Sequence, residues 1–274
     1  MLTIAESTVL YPEVDPDLGE QLHPEEMALA GQIGDAIEQS IRAQYQAGHA
    51  RRDAHPKAHA VVKAEFRVSN SIANNLAKGI FVPDKAYEAW IRFSNAAQDD
   101  DNKEDARGIA IKVIGVPGAK LLESERDATT QDFLMINHPV FFLNDPQRYL
   151  SFIRKSSSHS LLSKLTIPAT LGLKGTVLAN ELTKGKISNP LQIRYWSVVP
   201  YQLGIGPERQ AIKFSVKPSS TTVDPVPNNP GPNYLRDALR ATLRKSDTIL
   251  KFLVQPRTSG SLSVEDSMIA LRTP

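Results

Sequence analysis

Two short segments combine side chains suited to acid–base chemistry with a local sequence that fits no regular structure. Residues 51–57 place His55 and three basic side chains directly before a stretch of alternating apolar and polar residues. Residues 137–142 place an asparagine, a histidine and a proline inside an apolar run, which suits neither a helix nor a strand. Histidine can act as general base and general acid, and an amide can hold a polar substrate by hydrogen bonds. Local contradictions of this kind are typical of functional sites.

Other reaction types have little support. Cysteine is absent, which excludes a thiolate nucleophile, a zinc–thiolate centre and an iron–sulfur cluster. His55 and His59 are four residues apart, but Pro56 lies between them and no third ligand is clustered nearby, so a zinc site is weakly supported. The sequence contains no Gly-x-Ser-x-Gly nucleophile elbow. The acidic run 98–105 lacks the glycine and terminal glutamate of a calcium loop, and we predict that it is a solvated loop.

The composition predicts a globular protein that does not bind nucleic acid. The 274 residues include 32 basic and 30 acidic side chains, a net charge of +2, whereas gripping nucleic acid phosphates requires a concentrated basic face. The length suits one large domain, or one domain with a small appendage. No signal peptide and no membrane span are recognisable in the sequence. We therefore expect a cytoplasmic protein, with a periplasmic protein whose signal has been removed as the open alternative.

The elements that must position these residues follow from periodicity. Apolar residues at three- and four-residue spacing predict a helix over 24–47. Period-two alternation predicts an early strand over Ala60–Val68, and strands are also expected at 89–94, 108–114, 192–197, 211–216 and 249–254. Helices are expected over 145–155, over 160–184 with a break at Pro168, and from Asn233 onwards. Strands and helices do not alternate regularly, and no glycine-rich phosphate loop is present, so we predict a mostly antiparallel α+β fold.

Five motifs in a fixed order carry a resemblance to a known family. They are Arg52-Asp-Ala-His55-Pro-Lys57, Arg92-Phe-Ser94, Asp105-Ala-Arg107-Gly108-Ile-Ala-Ile-Lys112, Asn137-His-Pro-Val-Phe-Phe-Leu-Asn-Asp145, and Tyr195-Trp-Ser197 with Leu203-Gly204. In this order they resemble the catalase superfamily, in particular its small catalase-related members. The resemblance covers residues 50–155 well and 190–218 loosely.

The resemblance implies a role for each matching residue. His55 would be the distal histidine that moves a proton between the two peroxide oxygens, and Asn137 would be the amide that positions the peroxide. Ser94 would hydrogen-bond His55 and fix its tautomer. Tyr195 would be the axial ligand of the iron of haem b, which is the catalase mode of ligation.

Other residues would hold the cofactor. Arg52 and Arg92 would pair with the haem propionates, and Phe141 or Phe142 would pack near the porphyrin. The two phenylalanines have ordinary core residues as their alternative.

The sequence also departs from the family pattern. His59 competes with His55 for the distal role, because one residue is inserted between His55 and the end of the strand. Tyr201 is the alternative iron ligand. Catalases carry arginines four residues before and seven residues after the proximal tyrosine, and here those positions are Leu191 and Gln202. The iron ligand would then be less anionic, which weakens the case for vigorous dismutation more than the case for haem binding.

The resemblance also implies an architecture: a single catalase-like haem domain over 1–274, an antiparallel β-barrel with surrounding helices. Its parts would be an N-terminal helix (24–47), barrel and distal side (50–145), a helical insert (146–185), a proximal segment (190–218) and a C-terminal helix and strand (233–255). The implied function is a haem-dependent enzyme acting on hydrogen peroxide or an organic hydroperoxide, by dismutation, peroxidase chemistry or rearrangement. The alternative is a haem- or apolar-ligand-binding barrel with little or no turnover. A homodimer is compatible with this architecture.

Overall fold

The structure is a computed structural model that describes residues 14–21, 23–118, 120, 123–158 and 160–270. Within these residues the chain forms eight strands and five α-helices. The strands are β1 (Ala58–Arg67), β2 (Ala86–Asn95), β3 (Arg107–Ile114), β4 (Thr130–Ile136), β5 (Tyr195–Trp196), β6 (Tyr201–Leu203), β7 (Gln210–Pro218) and β8 (Leu250–Pro256). The helices are α1 (Glu26–Gln44), α2 (Pro146–Ser156), α3 (Leu161–Leu165), α4 (Ile167–Thr183) and α5 (Tyr234–Lys245). The predicted α+β class and antiparallel pairing are confirmed.

The strands form one antiparallel sheet that does not close into a barrel. Its order is β1-β2-β3-β4-β5-β7-β6, and β8 also pairs with β7. Among the described residues β1 pairs only with β2 and β8 only with β7, so the prediction of a closed barrel is wrong. The two strands instead meet through their side chains, since the Phe66 and Phe252 rings lie 5.2 Å apart between centroids. Strands β1 and β8 are therefore joined by aromatic packing and not by backbone hydrogen bonds.

Alternation along the strands gives the sheet two different faces. On β2, Tyr87, Ala89 and Phe93 point into the hydrophobic core. We call this side of the sheet the core face. Because successive side chains point to opposite sides of a strand, Arg92 and Ser94 lie on the other face, which we call the outer face. On β3 the same rule puts Ile109, Ile111 and Val113 in the core. Gly108 and Ala110 therefore belong to the outer face.

The predicted break in the long helical segment is present directly before Pro168. Helix α3 ends at Leu165 and α4 begins at Ile167, so Pro168 lies in the first turn of α4, where its missing N–H has no partner. A second irregularity lies at Gly172, whose φ of 70° and ψ of 177° are not helical. The guanidinium of Arg148 occupies the space beside it, where a Cβ would approach Nη2 to 2.9 Å. Glycine is therefore required at this kink.

The acidic run 98–105 is not the solvated loop that the sequence predicts. The side chain of Asp101 is fully buried and accepts hydrogen bonds from Lys57 Nζ at 2.7 Å, Asn95 Nδ2 at 2.9 Å and the backbone N–H of Leu235 at 3.1 Å. Asp105 is also buried and accepts from the backbone N–H groups of residues 97 and 98. These carboxylates are inside because the chain supplies each with several donors.

Lys57→Met tests how much the buried pair contributes. The substitution leaves the Asp101 carboxylate buried without its cation, and we expect a loss of about 3–5 kcal/mol in the free energy of unfolding, measured by urea denaturation. The matched control is Lys112→Met at the exposed pair with Asp132, whose side chains are 50% and 46% exposed. That variant should lose less than about 1 kcal/mol. Equal losses would contradict the importance of the buried pair.

Candidate active site

His55 lies on the outer face of the sheet, held by the strands on either side of it. Its backbone N–H donates to Ala96 O at 2.9 Å, and its φ of 59° places it in the left-handed region. That conformation is uncommon outside glycine and costs of order 1–3 kcal/mol, so it persists only where the surroundings determine it. The ring Nδ1 lies 3.0 Å from Ser94 Oγ. The contact that the family resemblance implies between these two residues is therefore present.

Gly108 makes room for the imidazole. A Cβ built on Gly108 would lie 2.5 Å from both Cε1 and Nδ1 of His55 and 3.1 Å from Ser94 Oγ. Any other residue at this position would push the ring away from the serine. Glycine inside a strand is typical of a close approach of this kind. The position of Gly108 within a predicted strand is therefore the sequence signal that could have identified it as part of the site.

Asn137 follows directly after β4 and is fixed by the backbone of β3. Its Oδ1 accepts from Arg107 N at 2.7 Å, and its own N–H donates to Arg107 O at 3.0 Å. Arg107 precedes Gly108, so the amide is tied to the strand residue next to the imidazole contact. With Oδ1 committed to the backbone, Nδ2 is the part of the amide left to donate to a ligand.

Two arginines lie close to His55 without an acidic partner among the described residues. Arg92 Nη2 donates to His55 O at 2.6 Å. Within the residues that the structure describes, no ion pair joins Arg52 or Arg92 to a carboxylate. Each lowers the pKa of His55, and Arg52 adds to the burial that lowers the pKa of Arg92. A pair of cations left without an acid is suited to an anionic ligand.

The surface beside the arginines is apolar and exposed. Val61, Arg92, Ala110 and Leu134 form one row across β1, β2, β3 and β4. Val61 is 56% exposed and Leu134 is 64% exposed. This row lies two residues along the strands from that of Ser94 and Gly108, a separation of about 7 Å. A flat apolar group could cover the row while its anionic substituents met the arginines.

The electrostatics around His55 favour a neutral ring. Burial is the main cause of a pKa below the ordinary value of 6.5, with Arg92 and Arg52 acting in the same direction and Asp105 opposing them. A neutral imidazole that donates from Nδ1 to Ser94 carries its lone pair on Nε2. His55 in this tautomer is a base at neutral pH.

Phe141 and Phe142 belong to an aromatic cluster with α2. Their ring centroids are 4.4 Å apart, and the cluster continues to Tyr149 and Phe152 of α2 at 5.9 Å and 5.2 Å respectively. Burial, and after it the Asp53 carboxylate, raises the pKa of Tyr149. The two phenylalanines therefore pack on α2.

His59, the alternative distal base, lies in a buried polar network. Its Nε2 is 2.8 Å from Asn95 Oδ1, and its exposed fraction is 3%. Burial lowers its pKa to about 4. Asn95 Oδ1 also accepts from Arg107 Nη1. His55, rather than His59, is therefore the histidine that contacts Ser94.

Tyr195 and Tyr201, the two candidate iron ligands, pack on the core face. Tyr195 is 1% exposed, packs against Phe93 and donates its hydroxyl to Pro190 O at 2.8 Å. Complete burial raises the pKa of Tyr195 far above its usual range, which disfavours a phenolate. The Tyr201 ring packs on Phe214 at 5.1 Å. The sheet thus separates both rings from His55.

The two positions where the family carries arginines have other uses here. Leu191, four residues before Tyr195, is buried in the hydrophobic core. Gln202 is exposed on β6 and donates to Gly204 O at 3.1 Å. Neither position supplies a cation to a phenol.

Part of the chain is similar to the catalase family. A model of that family matches residues 38–164, which is 127 of the 274 residues. A fungal catalase is similar in structure with a TM-score of 0.62 at 17% identity, covering 92% of this chain and 52% of that one.

Two further solved structures share the fold. A bacterial catalase has a TM-score of 0.59 at 15% identity, covering 96% of this chain and 52% of its own. Catalase A from Saccharomyces cerevisiae has a TM-score of 0.54 at 16% identity, covering 96% of this chain and 55% of its own. The chain thus spans about half the length of these catalases. A search of curated proteins finds no match.

The described residues fit one side of a haem. The outer face offers an imidazole, two arginines without acidic partners and an exposed apolar row, which suits the distal side and the propionates. The amide of Asn137 is held at the backbone of Arg107, the residue before Gly108. Tyr195 and Tyr201 do not fit the axial position, because both lie on the core face. We therefore derive no step through the iron.

Gly108→Ala tests the seat of His55. The added methyl group must displace the ring from Ser94, and because burial is the main cause of the low pKa, we expect the pKa of His55 to rise towards 6.5. The measurement is an NMR titration of the histidine ring protons. Gly34→Ala is the control, since a Cβ there meets nothing within 4 Å. An unchanged His55 titration in a folded Gly108→Ala protein would show that the contact is not tight.

Proposed function

We propose that the protein is a haem-dependent peroxide-processing enzyme, with haem b bound on the outer face of the sheet. The observation that carries this proposal is the seat of His55: its ring lies against Gly108, with Nδ1 3.0 Å from Ser94 Oγ, beside two arginines that have no carboxylate partner among the described residues. When bound, the haem would supply the redox chemistry that cleaves the peroxide O–O bond. The chain supplies the groups that hold the haem and move the proton.

The arginines and the apolar row would bind the cofactor. Arg52 and Arg92 would pair with the propionates, and Val61 and Leu134 would lose their exposed surface beneath the porphyrin. Phe141 or Phe142, whose ring centroids are 4.4 Å apart, would pack near the porphyrin.

His55 and Asn137 would act on the peroxide. The lone pair on His55 Nε2 would accept the proton of the bound peroxide and return it to the departing oxygen. Ser94 would keep the other ring nitrogen protonated by accepting its hydrogen bond. Asn137 Nδ2 would donate to a peroxide oxygen, because Oδ1 is held by Arg107 N. These roles apply equally to hydrogen peroxide and to an organic hydroperoxide.

Haem binding without turnover is a second candidate function. It is favoured by the placement of Tyr195, whose hydroxyl donates to Pro190 O on the core face. A haem without an anionic oxygen ligand would lack the stabilisation of its higher oxidation states. The two candidates differ in activity and share the absorption spectrum of bound haem.

Reconstitution with haem separates the candidates. We expect a Soret band distinct from free haem, and oxygen evolution or hydroperoxide consumption that falls by roughly 10²–10⁴-fold in His55→Ala while the Soret band remains. Asn137→Ala should also lose activity. His49→Ala, a change at an exposed histidine elsewhere, should not.

The outcomes distinguish the two proposals. A Soret band with no turnover in the unmodified protein would refute the enzyme and support haem binding without turnover. Equal activity in His55→Ala and His49→Ala would refute the proposed base. The absence of any specific Soret band would refute both candidates.

Tyr195→Phe tests whether this tyrosine ligates iron. We expect the Soret band to be unchanged, and the free energy of unfolding to fall by about 1 kcal/mol, because Pro190 O loses its donor. Tyr201→Phe is the matched comparison. Loss of the Soret band in Tyr195→Phe alone would restore Tyr195 as the ligand, and would require it to leave the core.

A further inference from the structure

The segment formed by α3 and α4 displays large apolar side chains to solvent. Within the thirteen residues 161–173, Leu161, Leu162, Leu165 and Leu173 are 71%, 75%, 67% and 87% exposed. Val177 lies one turn after Leu173 on the same side of α4 and is 47% exposed. Single exposed apolar residues are ordinary, but a group of this size in one short segment marks an interaction surface.

The exposed leucines belong to a segment that is fixed to the body of the protein. Leu171, Gly175 and Leu182 of α4 are buried, and a Cβ on Gly175 would lie 2.8 Å from Phe142 O. Arg148 Nε of α2 donates to Thr170 O at 2.9 Å. The segment thus has buried residues that pack on α2 and on the residues after Asn137, and four leucines that are exposed to solvent.

Basic side chains also flank this segment in the sequence. Residues 161–183 carry a net charge of +1, whereas the wider range 154–186, which adds the end of α2 and the residues after α4, contains six basic side chains and one acidic one, Glu181, a net charge of +5. The residues outside 154–186 carry −3. Lys164, Lys174 and Lys184 are exposed among the leucines or directly after them. Apolar residues interleaved with lysines are typical of segments that bind a lipid surface, in which anionic headgroups cover an apolar interior.

We propose that the α3–α4 segment binds the surface of an anionic lipid membrane. The leucines would enter the boundary between headgroups and acyl chains, and the lysines would contact the lipid phosphates. The binding is peripheral, because no helix in the described part of the chain is long and apolar enough to cross a bilayer. The proposal concerns the helices and does not depend on haem or on turnover.

Vesicle sedimentation of the full chain tests the proposal. We expect binding to vesicles of phosphatidylcholine mixed with phosphatidylglycerol, at least tenfold weaker binding to phosphatidylcholine alone, and weakening with salt. The double variant Leu162→Gln/Leu173→Gln should lose at least tenfold in affinity. Its control, Ile205→Gln/Ile249→Gln, changes residues that are 88% and 71% exposed elsewhere, and should bind as the unmodified protein does.

A second pair of variants tests the charge. Lys164→Gln/Lys184→Gln should reduce the preference for the anionic vesicles, whereas Lys245→Gln/Lys251→Gln, which removes two exposed charges outside the segment, should not. Equal effects of the two lysine pairs would overturn the proposal, and so would the absence of vesicle binding. A concentration-dependent dimer that the leucine variant abolishes, without vesicle binding, would assign the surface to a second copy of the chain.

Discussion

The buried ion pair between Lys57 and Asp101 is the constraint on which the rest of the structure depends. Lys57 Nζ donates to Asp101 Oδ1 at 2.7 Å and also to the carbonyls of Asp99 and Pro232. One ammonium group thus ties the start of β1 to the acidic run and to the turn before α5. Removing either charge leaves the other buried, so the three parts of the chain depend on both.

The same network determines the geometry on the opposite face. Asn95, which donates to Asp101, is the neighbour of Ser94, and its Oδ1 accepts from Arg107. Arg107 in turn holds Asn137 through two backbone hydrogen bonds. The buried charges therefore fix the strand ends that carry the hydroxyl of Ser94 and the amide of Asn137. A polar interior is expected to cost stability, and here it aligns side chains that lie across the sheet.

The sequence was informative where the signal is local. Alternation on β2 assigns Phe93 to the core and Ser94 to the outer face, and the motif order implied the contact between Ser94 and His55. The burial of Asp101 was not predictable, because it depends on Lys57 and Leu235, which are distant in the chain. Closure of the sheet was likewise not readable from strand patterns, since it depends on whether the two end strands pair.

The face of the sheet on which Tyr195 lies could not be predicted from the strand pattern. Strand β5 is only two residues long and follows one turn of 3-10 helix. No run of alternating residues therefore determines on which face of the sheet the Tyr195 ring lies. Burial decides instead: the ring packs on Phe93 in the core, and its hydroxyl donates to Pro190 O. The outer face, by contrast, is built on β1 to β4, whose register is fixed over many residues. Tyr195 therefore lies across the sheet from His55.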